Sequence, residues 1–145
     1  MGEFALVIAI GIAGGVAVGL QSPISGAMSQ RVGGAASSLI VHLSGAVFSA
    51  ALLLLRGGEQ LSNWRALPWY MWLGGLLGLI LVLSLSVTFP RLGAASAIVL
   101  IIVGQLTTGL VLDHFGWLDA AVHPLDAGRV LGVLALVVGA YLILR

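Results

Sequence analysis

The sequence predicts an all-α integral membrane protein whose chain crosses the bilayer five times. Its mean hydropathy is +1.17, with 60% hydrophobic and 8% charged residues, whereas soluble domains have about 25% charged residues. Five apolar stretches approach the roughly 20 residues that a spanning helix needs. Glycine supplies 21 of 145 residues, and small residues let helices approach closely in lipid. These observations exclude a water-soluble globule and predict one transmembrane domain over residues 1–145.

The first three helices are predicted over about residues 4–31, 35–55 and 69–89. Pro23 lies inside the first and removes one backbone donor, so we expect that helix to be long and bent. Aromatic side chains typical of a membrane interface precede or begin the third helix. They are Trp64, Trp69, Tyr70 and Trp72.

The fourth and fifth helices are predicted over about residues 94–114 and 128–144. The turn at residues 90–93 is so short that the third and fourth helices should form an antiparallel hairpin. Gly116 is a suitable C-terminal stop for the fourth helix. Asp126 is a suitable N-cap for the fifth.

Arginine is the only strongly basic residue, and it is divided evenly between the two membrane faces. Five crossings put Arg56, Arg65 and Arg129 on one face, and Arg31, Arg91 and Arg145 on the other. Orientation normally follows an excess of Lys and Arg on the cytoplasmic side. The balance therefore predicts insertion in both orientations, and with it an antiparallel homodimer of inverted-repeat transporter architecture.

Charge and motif content argue against several functions. The net charge is +1 and no basic cluster is present, which disfavours nucleic-acid binding. There are no cysteines, and the three histidines lack metal-site spacing. We therefore expect no catalytic site, metal or cofactor, and partners limited to lipid, a second copy and a small-molecule solute.

Polar residues inside the spans are the candidates for solute binding, because a polar group in lipid must be satisfied or serve a purpose. They are Gln21, Ser25, His42, Trp72 and Gln105. Non-helical backbone around Pro23 would be tolerated where it lines a cavity. Hydrogen bonding between helices for His42 and Gln105, and interfacial anchoring for Trp72, stay open as alternatives.

Asp113 is the candidate for ion or proton coupling. It is the one acid expected inside or at the edge of the hydrocarbon region, and it lies at a helix C-terminus, where the dipole disfavours negative charge. An arginine partner, a bound cation or a proton would offset that charge. The alternative is a solvated interfacial acid. On the fifth helix, Gly132, Ala135 and Gly139 share a small-residue face that we assign to dimer packing.

Four sequence blocks together carry a family resemblance. They are Leu20-Gln21-Ser22-Pro23-Ile24, residues 72–78 (WLGGLLG), residues 90–95 (PRLGAA), and Gly104-Gln105-Leu106 with residues 113–116 (DHFG). In order and spacing the chain resembles the YdcZ-type bacterial domain-of-unknown-function family of the drug/metabolite transporter superfamily. That resemblance implies five helices and an inner-membrane transporter acting as an oppositely oriented pair.

Two departures accompany the resemblance. Ser25 stands where the family pattern usually has Asn, and the first helix lacks the mid-membrane glutamate of the related four-helix multidrug exporters. The second departure argues against exchange of protons for large drug cations. We expect a secondary transporter or exporter of a small polar or weakly basic solute, working by alternating access. The alternatives are a passive channel formed by the dimer, a non-transporting membrane subunit, or pairing with a homologue.

Overall fold

The computed structural model describes residues 2–145, which form helices and connecting turns without a β-strand. Its long helices are α1 (Gly2–Val32), α2 (Gly34–Leu55), α3 (Gly74–Phe115) and α4 (Ala127–Leu144). These helices supply four candidate membrane spans by length and composition, the third of which runs over Trp69–Phe115. The prediction of an all-α membrane protein is confirmed.

Helix α3 is interrupted by one residue. It has 42 residues, which at 1.5 Å per residue make about 63 Å, roughly twice the ~30 Å of a bilayer's hydrocarbon core. Gly93 has φ 79° and ψ 174°, a backbone conformation that only glycine adopts readily. Helical geometry continues from Pro90 to Leu92, so the turn is tighter than the predicted one over residues 90–93. Gly93 separates a first part (residues 74–92) from a second part (residues 94–115).

The start of α3 also differs from the sequence expectation. Trp69–Leu73 forms a short 3-10 helix, and α-helical geometry begins only at Gly74. Pro68, which precedes that turn, is extended at φ -56° and ψ 145°. In α1, Pro23 lies inside a helix that runs unbroken over 31 residues.

The chain divides into two compact units, one reaching to Pro90 and the other beginning at Arg91. In the first unit, serines fill the contact between α1 and α2. Ser25 and Ser37 are 1% and 0% exposed. The hydroxyls of Ser29 and Ser37 donate to the Ser25 carbonyl at 2.8 and 3.1 Å. Small hydroxyl side chains let the two backbones approach, and within residues 2–145 every buried side-chain N and O atom has a hydrogen-bond partner.

The first part of α3 completes the core of this unit by packing closely against α1. A Cβ atom at Gly26 of α1 would lie 2.5 Å from Cγ of Phe89, so the aromatic ring rests directly on the α1 backbone. The amide of Gln30 donates to the Ser86 carbonyl at 2.9 Å. Glycine at residue 26 is therefore required by close packing.

The second unit contains the second part of α3, α4 and the segment between them. Gly116, at φ 65°, follows the last residue of α3, as the sequence predicts. The Asp126 side chain accepts a hydrogen bond from the Arg129 backbone N–H at 2.8 Å, so Asp126 is the predicted N-cap of α4. These two residues fix where α3 ends and α4 begins.

Most of the apolar surface is uncovered. Residues 2–18 of α1 are exposed all round the helix, and none of the 18-residue windows of the four spans is more than 11% buried. A helix that is apolar on every side is stable only when lipid or another protein surrounds it. The exposed apolar surfaces of these helices are therefore those of a membrane protein.

Candidate functional site

A cleft of about 450 Å³ lies between the second part of α3 and α4. Gln105, Gly109 and Asp113 line it at intervals of four residues along α3, and Arg129 and Gly132 line it from α4. A spacing of four residues places side chains on one helix face. One wall of the cleft therefore carries an amide, a glycine and a carboxylate in line.

An ion pair joins the two walls. Nη1 of Arg129 lies 3.2 Å from Oδ2 of Asp113, and the two side chains are 32% and 37% exposed. The same Nη1 is 3.4 Å from the His123 carbonyl oxygen. Of the three ways of offsetting the Asp113 charge that the sequence left open, the structure shows the arginine partner.

The segment between α3 and α4 is held beside this pair. The His123 N–H donates to the Asp113 carbonyl at 2.8 Å, and the Leu125 N–H donates to Nδ1 of His114 at 3.2 Å. Since Nδ1 of His114 accepts a hydrogen bond, the neutral ring carries its proton on Nε2. These bonds fix the connecting segment at the end of the cleft where the charges lie.

Gln105 lies at the end of the cleft opposite the ion pair. Eight residues separate it from Asp113, or about 12 Å along a helix, and its amide is exposed without a hydrogen bond to any residue from 2 to 145. Between these ends the cleft is bordered by glycine. A Cβ atom at Gly109 or Gly132 would meet nothing within 4 Å, so a side chain there would enter open space.

The first unit has a second cavity, of about 350 Å³, lined by residues that include Ser38, His42 and Gly75. Nδ1 of His42 lies 2.7 Å from the Ser38 carbonyl oxygen, a distance that requires a proton between the two atoms. Nε2 is then an acceptor in the neutral ring. A Cβ atom at Gly78 would lie 2.5 Å from Nε2, so glycine at this position makes room for the imidazole.

The remaining sequence candidates lie outside both cavities. Gln21 is exposed on α1. Ser25 is buried in the α1–α2 contact described above, where its setting is that of a helix-packing residue. Trp72 is 58% exposed, and its ring meets the Trp64 ring edge to face at 5.9 Å. The structure therefore brings together Gln105 and Asp113, and it places His42 in the first unit.

Arg129 is a site residue that the sequence pattern did not reveal, because there the arginines indicate only membrane orientation. Two signals point to it in retrospect. Asp113 needs a counter-charge, and the N-cap at Asp126 places Arg129 one turn into α4. Gly132, which the sequence assigned to dimer packing, also lines the cleft.

Comparisons with known proteins agree with the resemblance found in the sequence. The family model described as "Putative inner membrane exporter, YdcZ" matches residues 6–142. Inner membrane protein YdcZ of Escherichia coli (strain K12) is 29% identical over 146 residues, which cover 97% of this chain and 95% of that protein. No solved structure matches the chain.

Proposed function

Because the chain belongs to the YdcZ family and is a multi-pass inner membrane protein, we propose that it exports a small polar or weakly basic solute as an antiparallel homodimer. The observation that carries this proposal is the cleft in the second unit. Gln105, Asp113 and Arg129 border its space of about 450 Å³, within or at the ends of strongly apolar helices. Ligand sites are typically clefts of about 300–1,000 Å³ with a few polar groups in a largely apolar lining.

The break in α3 supports five crossings. Residues 74–92 and 94–115 would each extend about 28–33 Å as helices, which matches the ~30 Å hydrocarbon thickness. Gly93 lies between them with positive φ. Two spans joined at Gly93 fit a bilayer, whereas one continuous span does not.

With five crossings, three arginines lie on each face. Arg56 pairs with Glu59 at 3.2 Å, and Arg129 pairs with Asp113, so two of the three arginines on one face have acidic partners. Acidic residues contribute little to orientation, and the count therefore stays balanced. Insertion in both orientations supplies the copies that an antiparallel pair needs.

A second copy would also satisfy a group that the protomer leaves unpaired. The Gln21 amide has no hydrogen bond within residues 2–145, and an unpaired polar group in hydrocarbon costs on the order of several kcal/mol. We assign the contact between copies to the α4 face of Gly132, Ala135 and Gly139. An added Cβ atom at Gly139 would meet nothing within 4 Å, which leaves this part of the face open for another helix, while Gly132 also borders the cleft.

The antiparallel arrangement gives alternating access. When two identical chains face opposite ways, the inward-open and outward-open states are the same structure turned over, and they are equal in free energy. We assign the coupling of transport to an ion or proton to Asp113. A proton or cation on its carboxylate would release Arg129. A solute or ion gradient across the membrane is then enough to drive the cycle.

Reconstituted liposomes test this function. The vesicles are loaded with small amines and amino acids, and efflux is measured by mass spectrometry. A carrier shows saturable efflux of specific solutes, accelerated by the same solute outside. Unitary currents without saturation would instead support a passive channel. If Gln105→Leu and Asp113→Asn keep the dimer but abolish flux, the non-transporting-subunit alternative fails; unchanged flux in both variants would remove the cleft from the mechanism.

A further inference from the structure

We propose that the cleft of the second unit binds a zwitterion whose ammonium group pairs with Asp113 and whose carboxylate group pairs with Arg129. Its apolar stem extends along the cleft towards Gln105. This inference rests on the proposed function, because it takes the cleft to be the solute site. It narrows the solute from small and polar to one that carries both charges at one end.

Both residues of the ion pair have hydrogen-bonding groups that remain without a partner. Arg129 contacts Asp113 through Nη1 alone, and it shares that nitrogen with the His123 carbonyl. Within residues 2–145, Oδ1 of Asp113 and the Nη2 and Nε groups of Arg129 have no hydrogen-bond partner. A paired guanidinium and carboxylate usually make two parallel hydrogen bonds. The single contact here leaves donors and an acceptor for a ligand.

Charge balance selects among ligands. Asp113 and Arg129 together carry no net charge, and only about a third of each side chain is exposed. A cation bound to Oδ1 of Asp113 would leave the cleft with a net positive charge, and an anion bound to the free donors of Arg129 would leave it with a net negative charge. An unpaired charge in such a setting is strongly unfavourable. A zwitterion gives each group a new partner, and the complex stays neutral.

The rest of the cleft suits an apolar stem. Leu106, Leu110 and Val133 complete its lining, and about 12 Å of helix separates Asp113 from Gln105. Gly109 and Gly132 leave the middle open. A short apolar chain fits along this path, with its charged head at Asp113 and Arg129.

The test compares three probes with the same six-carbon skeleton: L-norleucine, L-norleucinamide and hexanoate. The first is a zwitterion, the second a cation and the third an anion at pH 7. Binding to the purified full-length protein is measured by titration calorimetry. We expect L-norleucine to bind at least tenfold more tightly than either singly charged probe. Equal or tighter binding of L-norleucinamide or hexanoate, or no binding of L-norleucine, overturns the proposal.

Charge variants give the same test an internal control. Asp113→Asn leaves the Arg129 cation alone, so preference should move to hexanoate. Arg129→Gln leaves the Asp113 carboxylate alone, so preference should move to L-norleucinamide. Retained preference for L-norleucine in either folded variant contradicts the proposal.

Glycine variants keep both charges, so they test whether L-norleucine binds in the cleft even if a charge variant does not fold. Gly109→Leu fills the cleft and should weaken L-norleucine binding at least tenfold. Gly104→Leu is the matched control, because a Cβ atom there also meets nothing within 4 Å and the residue does not line the cleft. Equal effects of the two substitutions would overturn the assignment to this cleft.

Failure of this inference is distinguishable from failure of the proposed function. Saturable counterflow of another solute without L-norleucine binding overturns the zwitterion site and leaves the exporter standing. Binding of L-norleucine with the predicted charge selectivity, but without counterflow in liposomes, supports the site and contradicts the exporter.

Discussion

Loss of the Arg129–Asp113 ion pair should destabilise the protein far more than loss of the Arg56–Glu59 pair. Both pairs have N–O distances of 3.2 Å, but the side chains are 32% and 37% exposed in the first and 64% and 53% exposed in the second. Exposed pairs contribute about 0.2–1 kcal/mol, and breaking a fully buried pair costs about 3–5 kcal/mol. With solvent screening of the exposed third, we expect a coupling of about 1–2 kcal/mol for Arg129–Asp113. For Arg56–Glu59 we expect less than about 0.5 kcal/mol.

Double-mutant cycles measure both couplings under one set of conditions. One cycle combines Arg129→Gln with Asp113→Asn, and the other combines Arg56→Gln with Glu59→Gln. Unfolding of the protein in mixed micelles is followed by circular dichroism as the denaturing detergent is increased. We expect the coupling energy at Arg129–Asp113 to be several times that at Arg56–Glu59. Equal couplings would show that burial of the cleft charges does not strengthen their interaction, and the charge argument for the cleft would be refuted with it.

Two further predictions concern glycines. Gly78→Ala should destabilise the first unit by about 1–3 kcal/mol, the usual cost of overpacking, because its Cβ would lie 2.5 Å from Nε2 of His42. Gly75→Ala, whose Cβ meets nothing within 4 Å, is the control, and equal melting temperatures for the two variants would contradict the packing argument. Gly139→Leu should weaken dimerisation in liposomes about tenfold, as a cost of about 1.4 kcal/mol implies, measured by single-molecule photobleaching. Val137 lies on the opposite face of α4, so Val137→Leu should leave dimerisation unchanged. If Val137→Leu weakened dimerisation more than Gly139→Leu, Gly139 would not belong to the interface.

Hydropathy and helix-end chemistry predicted much of the fold. Apolar runs of spanning length leave few alternatives to helices in a bilayer. Gly116 and Asp126 end and begin helices where the sequence places them, because these residue types satisfy unpaired backbone groups or adopt the conformations that end a helix. The tight break at Gly93 was expected to occupy four residues. A single glycine at φ 79° accomplishes it, and the composition of the turn does not reveal that.

The site was harder to predict, because it depends on contacts between residues distant in sequence. The need of Asp113 for a partner is local and was evident. The choice of Arg129 is not local, because it depends on how residues 116–126 return the chain to the end of α3. The same difficulty affects Ser25: a hydroxyl in a span is equally suited to a cavity and to a helix contact, and only the packing of α1 on α2 distinguishes the two.

The orientation of the chain in the membrane tests the central proposal most directly. A reporter active only in the cytoplasm and a reporter active only in the periplasm are fused after Arg145 in separate strains. Even division of the arginines predicts that both fusions are active at comparable levels, since copies insert both ways. Adding a lysine beside Arg65 should silence one fusion and strengthen the other. Activity of only one reporter in the unmodified protein would contradict the antiparallel homodimer.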